Sequence, residues 1–100
     1  MQNQLPSKEE IINFLKKNKD YIHDQFGITK IALFGSYARN EAKEDSDIDL
    51  LVDSKQKSFD QRFYLKEYLE KNLKKTVDIC YFDSIRPFIM RFVEKELIYA

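Results

Sequence analysis

The chain has a single cysteine, Cys80, a single histidine, His23, only two glycines and two prolines, and no tryptophan. A lone cysteine excludes an intramolecular disulfide framework and fits a reducing cytoplasm. No apolar run is long enough to span a bilayer, and Met1 to Gln4 is polar, without the apolar core of a secretory signal. Net charge is missing as well, because 17 basic and 17 acidic residues cancel. Without an overall basic field, a nucleic-acid partner is disfavoured. A length of 100 residues suits one small domain, 1–100, with no repeat, low-complexity segment or interdomain linker.

Periodicity divides that domain into elements. Ser7 and Glu10 have capping-box spacing and open a helix expected over 7–26, with Ile11, Ile12, Phe14, Leu15, Tyr21, Ile22 and Phe26 on its core side. Gly27 is placed to end it. Residues 28–34 read as a strand, 36–42 as a short helix and 47–53 as a second strand. Ser58 and Gln61 repeat the capping-box spacing and open a helix to Leu73. Residues 76–82 read as a third strand. Pro87 starts a last helix whose expected buried stripe is Ile85, Phe88, Ile89, Phe92, Val93 and Leu97. Residues 97–100 either continue that helix or leave it as a short strand.

Connection lengths add topology. About a dozen residues between the first two strands are too few for a comfortable parallel crossover, so these strands are expected antiparallel. The helix between the second and third suits a right-handed parallel crossover. The fold class expected is α/β, with a small mixed sheet flanked by helices.

Chemistry concentrates where glycine is spent. Gly35-Ser36-Tyr37-Ala38-Arg39 ends the first strand, and Asp47-Ile48-Asp49 begins the second. Glycine permits a sharp turn and close approach of a phosphate, while a following helix N-terminus and the Ser36 hydroxyl add donors. Arg39 shares the Ser36 face and either contacts phosphate or buttresses an aspartate. Asp47 and Asp49 point to one face of a strand. Carboxylates so close repel unless a cation intervenes, and hard oxygen ligands with room for water suit Mg²⁺. Asp78, set among apolar neighbours in the third strand, comes beside them if that strand is parallel. Three clustered carboxylates have the capacity for two Mg²⁺ ions, one clamping a triphosphate and one activating a hydroxyl.

This set, Gly35-Ser36-x-Ala38-Arg39, then Asp47-x-Asp49 inside Asp-Ser-Asp-Ile-Asp-Leu-Leu-Val, then Asp78, resembles the polymerase-β-like nucleotidyltransferase superfamily. The small size resembles its minimal branch, the antitoxins paired with HEPN-domain toxins. The resemblance implies that Gly35 and Ser36 hold ATP's phosphates, that Asp47 and Asp49 bind Mg²⁺, and that Asp78 completes the site as general base. It further implies transfer of AMP to a hydroxyl, a tyrosine of a HEPN toxin. Asn40 departs from the family, which often has glycine there; asparagine tolerates the left-handed conformation better than most residues.

With no chain left for an acceptor domain, the acceptor is expected on a partner. Tyr64 and Tyr68, off the core stripe of Phe59, Phe63, Leu65, Leu69 and Leu73, form either a contact patch or packing under the C-terminal segment. Two further readings stand beside the enzyme: a binding module that neutralises its partner by contact, and a nucleotidyltransferase acting on RNA or a small molecule. His23 reads as an exposed helical residue and Cys80 as packing. Lys71, Lys74 and Lys75 read as a solvated helix end.

Overall fold

Ser7 caps the first helix in both directions: its hydroxyl accepts the Glu10 N–H at 3.0 Å, and the Glu10 carboxylate accepts the Ser7 N–H at 2.8 Å. The structure, a computed structural model, describes residues 5–100; the polar stretch Met1 to Gln4 lies outside the described residues. One long helix was expected here, and two are found, α1 (Lys8–Lys17) and α2 (Lys19–Phe26). The break is at Asn18, whose side chain donates to the Phe14 carbonyl at 2.9 Å, an acceptor its backbone N–H also uses. Asparagine competes with the helix ladder in this way. The new axis keeps Ile11, Ile12, Leu15 and Ile22 buried but turns Tyr21 half out. Gly27 ends α2 at φ 71°.

The sheet holds β1 (Ile28–Phe34), β2 (Ile48–Ser54), β3 (Val77–Tyr81) and β4 (Ile98–Tyr99) in the order β3-β2-β1-β4. β1 and β2 are antiparallel and β2 and β3 parallel, as connection lengths require. The helix α3 (Phe59–Leu73) is the crossover between β2 and β3. Only half of its capping box forms: Ser58 accepts the Gln61 N–H at 3.0 Å. The Gln61 side chain instead donates to the Phe26 carbonyl and accepts from the Ser54 hydroxyl, tying α3 to the end of α2.

Alternation sorts the strands into two faces. Ile31, Leu33, Ile48, Leu50, Val52, Val77 and Ile79 pack against Ile11, Leu15, Ile22, Leu65, Leu69 and Leu73 of the helices. Each such side chain contributes about 1.5–3 kcal/mol of burial. Asp49 and Asp78 project from the other face by the same alternation. On α3, Phe59 and Phe63 leave the expected core arc and are exposed. Tyr68 packs with Phe14, Tyr21 and Phe26, ring centroids 5.2–6.1 Å away, so it lies neither in a contact patch nor under the C-terminal segment.

The last helix, α4 (Pro87–Val93), overturns the expected stripe. Phe88 and Phe92 are 69% and 62% exposed, Ile89 is exposed too, and Ile85, Val93 and Leu97 are only half-buried. Seven residues allow two turns before the chain must leave for β4, which pairs with β1 at Leu33–Ile98 and Ala32–Tyr99.

Candidate active site

Three strand ends converge on one region. Phe34, the last residue of β1, is the register partner of Asp49, and Asp49 is the register partner of Asp78. The end of an antiparallel strand thus meets the beginnings of two parallel ones. Asp47 lies one residue before β2 rather than inside it, and is exposed, as is Asp78. Asp49 is half-buried, and its carboxyl is pushed up to about 6, first by burial and then by the charges of Asp78 and Asp47.

Asp49 feels the charges of both other acids, yet among the described residues no group of three or more acidic, His or Cys side chains closes into a ligand cage. Their chemistry fits Mg²⁺, which keeps several waters and takes one or two carboxylates together with phosphate oxygens. A cation between these acids relieves the repulsion that raises Asp49.

Gly35 is held against this cluster. Its φ is 79°, and a Cβ on it would lie 2.2 Å from Asp49 Oδ2. Only glycine fits, for both reasons. The helix expected at 36–42 is instead a single wound turn: Arg39 N–H bonds the Gly35 carbonyl at 3.1 Å and Glu41 N–H bonds the Ser36 carbonyl at 2.8 Å. Asn40 stops it at φ 59°, the left-handed conformation anticipated for that position. The local donors are therefore those of a tight turn, without a helix dipole behind them. Tyr37 is buried and anchors the turn to the core, while Ser36 is half-buried beside it.

Arg39 donates from Nε to Glu41 at 2.9 Å and from Nη1 to both Glu96 oxygens at 3.1 and 3.2 Å. These carboxylates raise its already high pKa, Glu41 first, and its charge in turn favours ionised Asp49. Its hydrogen bonds go to two glutamates and to no aspartate, so the expected buttressing contact is absent and only its charge reaches Asp49. Glu96, absent from the sequence reading, also accepts the Gly35 N–H at 2.6 Å. Its only sequence signal was position: two residues before the apolar pair Ile98-Tyr99, at the strand end of an unresolved helix-or-strand choice.

Beside Asp78 a cleft of about 210 Å³ is lined by Phe59, Arg62, Phe63, Lys66 and Ile79. His23 is exposed and pairs with Asp24. Cys80 is half-buried, its thiol pushed up by burial and then by Asp78 and Asp49. Lys75 caps the Glu44 carbonyl, and Lys74 ends α3 in the left-handed conformation.

Residues 9–100, which carry all of these groups, match the nucleotidyltransferase domain family. The chain belongs to that family. Among relatives of this nucleotidyltransferase, the protein adenylyltransferase MntA of Thermococcus cleftensis is 41% identical over 93 residues, covering 92% of this chain and 94% of that one. A toxin–antitoxin crystal structure with AMP-PNP superposes at a TM-score of 0.65 with 25% identity, over 92% of this chain and 70% of its own. A complex of tri-AMPylated Shewanella oneidensis HEPN toxin with MNT antitoxin superposes at 0.63 with 21% identity, again over 92% and 70%, and shows the shared fold. No described helix of the nucleotidyltransferase is long and apolar enough to cross a membrane.

Proposed function

We propose that this nucleotidyltransferase moves AMP from ATP to a tyrosine hydroxyl of a HEPN-toxin partner in the cytoplasm and thereby acts as its antitoxin. The observation that carries the reading is the packing of Gly35 against Asp49, whose register partner is Asp78. It puts a phosphate-type turn in contact with an acidic cluster suited to metal. The 41% identical relative named as a protein adenylyltransferase and the toxin–antitoxin neighbours support the acceptor class.

In this reading Gly35 and Ser36 seat the triphosphate, while Asp47, Asp49 and Asp78 hold Mg²⁺. When bound, the metal would neutralise phosphate charge and polarise the transferring group. Asp78 faces the open cleft and takes the proton of the acceptor hydroxyl. The acceptor oxygen then bonds to the α-phosphorus, the bond to the bridging oxygen breaks, and pyrophosphate leaves. Such in-line transfer depends mainly on positioning. The cleft beside Asp78, about 210 Å³, offers Phe59, Phe63 and Ile79 to a ring and Arg62 and Lys66 to charge.

Incubation with labelled ATP, Mg²⁺ and the partner toxin tests the reading, with label on the partner as the expected result. Binding of the two proteins without label transfer refutes it. The exposed Phe88, Ile89 and Phe92 favour a second reading, neutralisation by contact alone. A folded Asp47→Ala, Asp49→Ala variant that protects cells as well as wild type establishes that second reading and removes the first.

A further inference from the structure

The antiparallel β1–β4 ladder pairs Leu33 with Ile98; two residues on from Leu33 and two back from Ile98, beyond the ladder's end, Gly35 meets Glu96. The contact is built. The Glu96 side chain is 21% exposed, accepts the Gly35 N–H at 2.6 Å and grips Arg39 through both oxygens. Charge-assisted bonds of this kind are about twice as strong as neutral ones and fix geometry.

Two consequences follow from where the bonds fall. With its N–H already occupied, Gly35 offers phosphate close approach alone, and donors come from Ser36 and the turn after it. And because Gly35 lies against the Asp49 carboxyl, a shift of the turn is a shift of the wall that confines Asp49. Glu96 therefore holds the turn directly and reaches the acids only through it, from the β4 side of the sheet.

We propose that Glu96 is a positioning residue, holding the nucleotide turn in register with the acidic cluster through the Gly35 N–H and Arg39. The inference rests on the nucleotidyltransferase reading above. It assigns the segment between α4 and β4 an indirect part in nucleotide binding, through the turn.

The test is calorimetric binding of AMP-PNP with Mg²⁺ to the full chain, which needs no acceptor. Glu96→Ala weakens binding by about tenfold, the usual scale for a lost supporting contact. Glu96→Gln, which keeps an acceptor for the Gly35 N–H but loses the ion pair, falls between it and wild type. Glu41→Ala removes the other carboxylate on Arg39, an equal change of charge, and keeps both Glu96 contacts; it leaves binding within about twofold of wild type. Wild-type or tighter binding by Glu96→Ala overturns the proposal, and so does equal weakening by Glu41→Ala. Failure of wild type itself to bind AMP-PNP overturns the nucleotide reading beneath it, which separates the two failures.

Discussion

Asp49 and Asp78 are register partners across the parallel β2–β3 ladder, so two acids from different strands leave the sheet on the same face. Burial and the Asp78 and Asp47 charges raise the Asp49 carboxyl from 3.8 to about 6. Between those values the folded chain holds a proton that the unfolded chain has lost. This contribution to metal-free stability is full below about pH 4 and is lost as pH rises through about 6. Asp49→Asn removes the penalty and stabilises the metal-free protein near neutral pH by about 1 kcal/mol, after allowance for screening at a half-exposed site. Urea unfolding of both proteins shows the gain shrinking towards pH 4; a destabilised variant near neutral pH contradicts the assignment.

Metal binding inverts that trend. A Mg²⁺ ion requires Asp49 ionised, so binding releases a proton and weakens by about tenfold per pH unit below about 6. Calorimetry in buffers of different ionisation enthalpy counts the proton. Affinity independent of pH from 5 to 7 refutes the placement of Asp49 in the metal site.

On the proposed reading Asp78 is both a metal ligand and the base that takes the acceptor proton, so its loss lowers transfer more than nucleotide affinity. Asp78→Asn lowers AMP transfer by about 10²–10⁴-fold, the scale of general-base loss. The Asp47→Ala, Asp49→Ala variant instead loses Mg²⁺-dependent AMP-PNP binding. Comparing transfer rates with AMP-PNP affinities checks the division, and an Asp78→Asn protein with unimpaired transfer removes Asp78 from the reaction.

Gly35 and Asn40 both have positive φ, but only one lies against a carboxylate. Gly35→Ala costs about 1–2 kcal/mol for the left-handed backbone alone and displaces Asp49, so Mg²⁺ binding falls with it. Asn40→Gly changes stability by no more than about 0.5 kcal/mol. Thermal melts with and without Mg²⁺ distinguish them, and equal behaviour of the two variants contradicts the contact.

The α4 aromatics have a large dynamic range as a test. Phe88→Ser with Phe92→Ser changes stability by about 0.5 kcal/mol per site if both face solvent. Buried phenylalanines cost about 3–5 kcal/mol each when truncated. A denaturation midpoint shifted by the larger amount places α4 in the core.

The strands, their directions and the gathering of Asp47, Asp49 and Asp78 at one end of the sheet were legible because each rests on local pattern or connection length. Alternation gave β2 its faces, and the short gap between Phe34 and Ile48 permitted only an antiparallel return. What escaped depends on tertiary context. The α4 stripe has helical periodicity, but periodicity does not say whether a neighbouring surface exists to cover it. The α1–α2 break turns on one asparagine side chain reaching a carbonyl four residues back. Nothing in the spacing announced that Gln61 would leave its capping box for Phe26 and Ser54. Glu96 was invisible because its role exists only once β4 has docked on β1.

That docking also orders events in time. The Gly35–Glu96 bond closes a loop of 61 positions and depends on a two-residue edge strand, whereas β2 and β3 are joined by five register pairs and a helix. Fraying of β4 is thus a cheap local opening. In such an excursion the Gly35 turn loosens while the β2–β3 ladder that carries Asp49 and Asp78 stays paired, so on the proposed reading nucleotide leaves through the edge strand without the sheet unfolding.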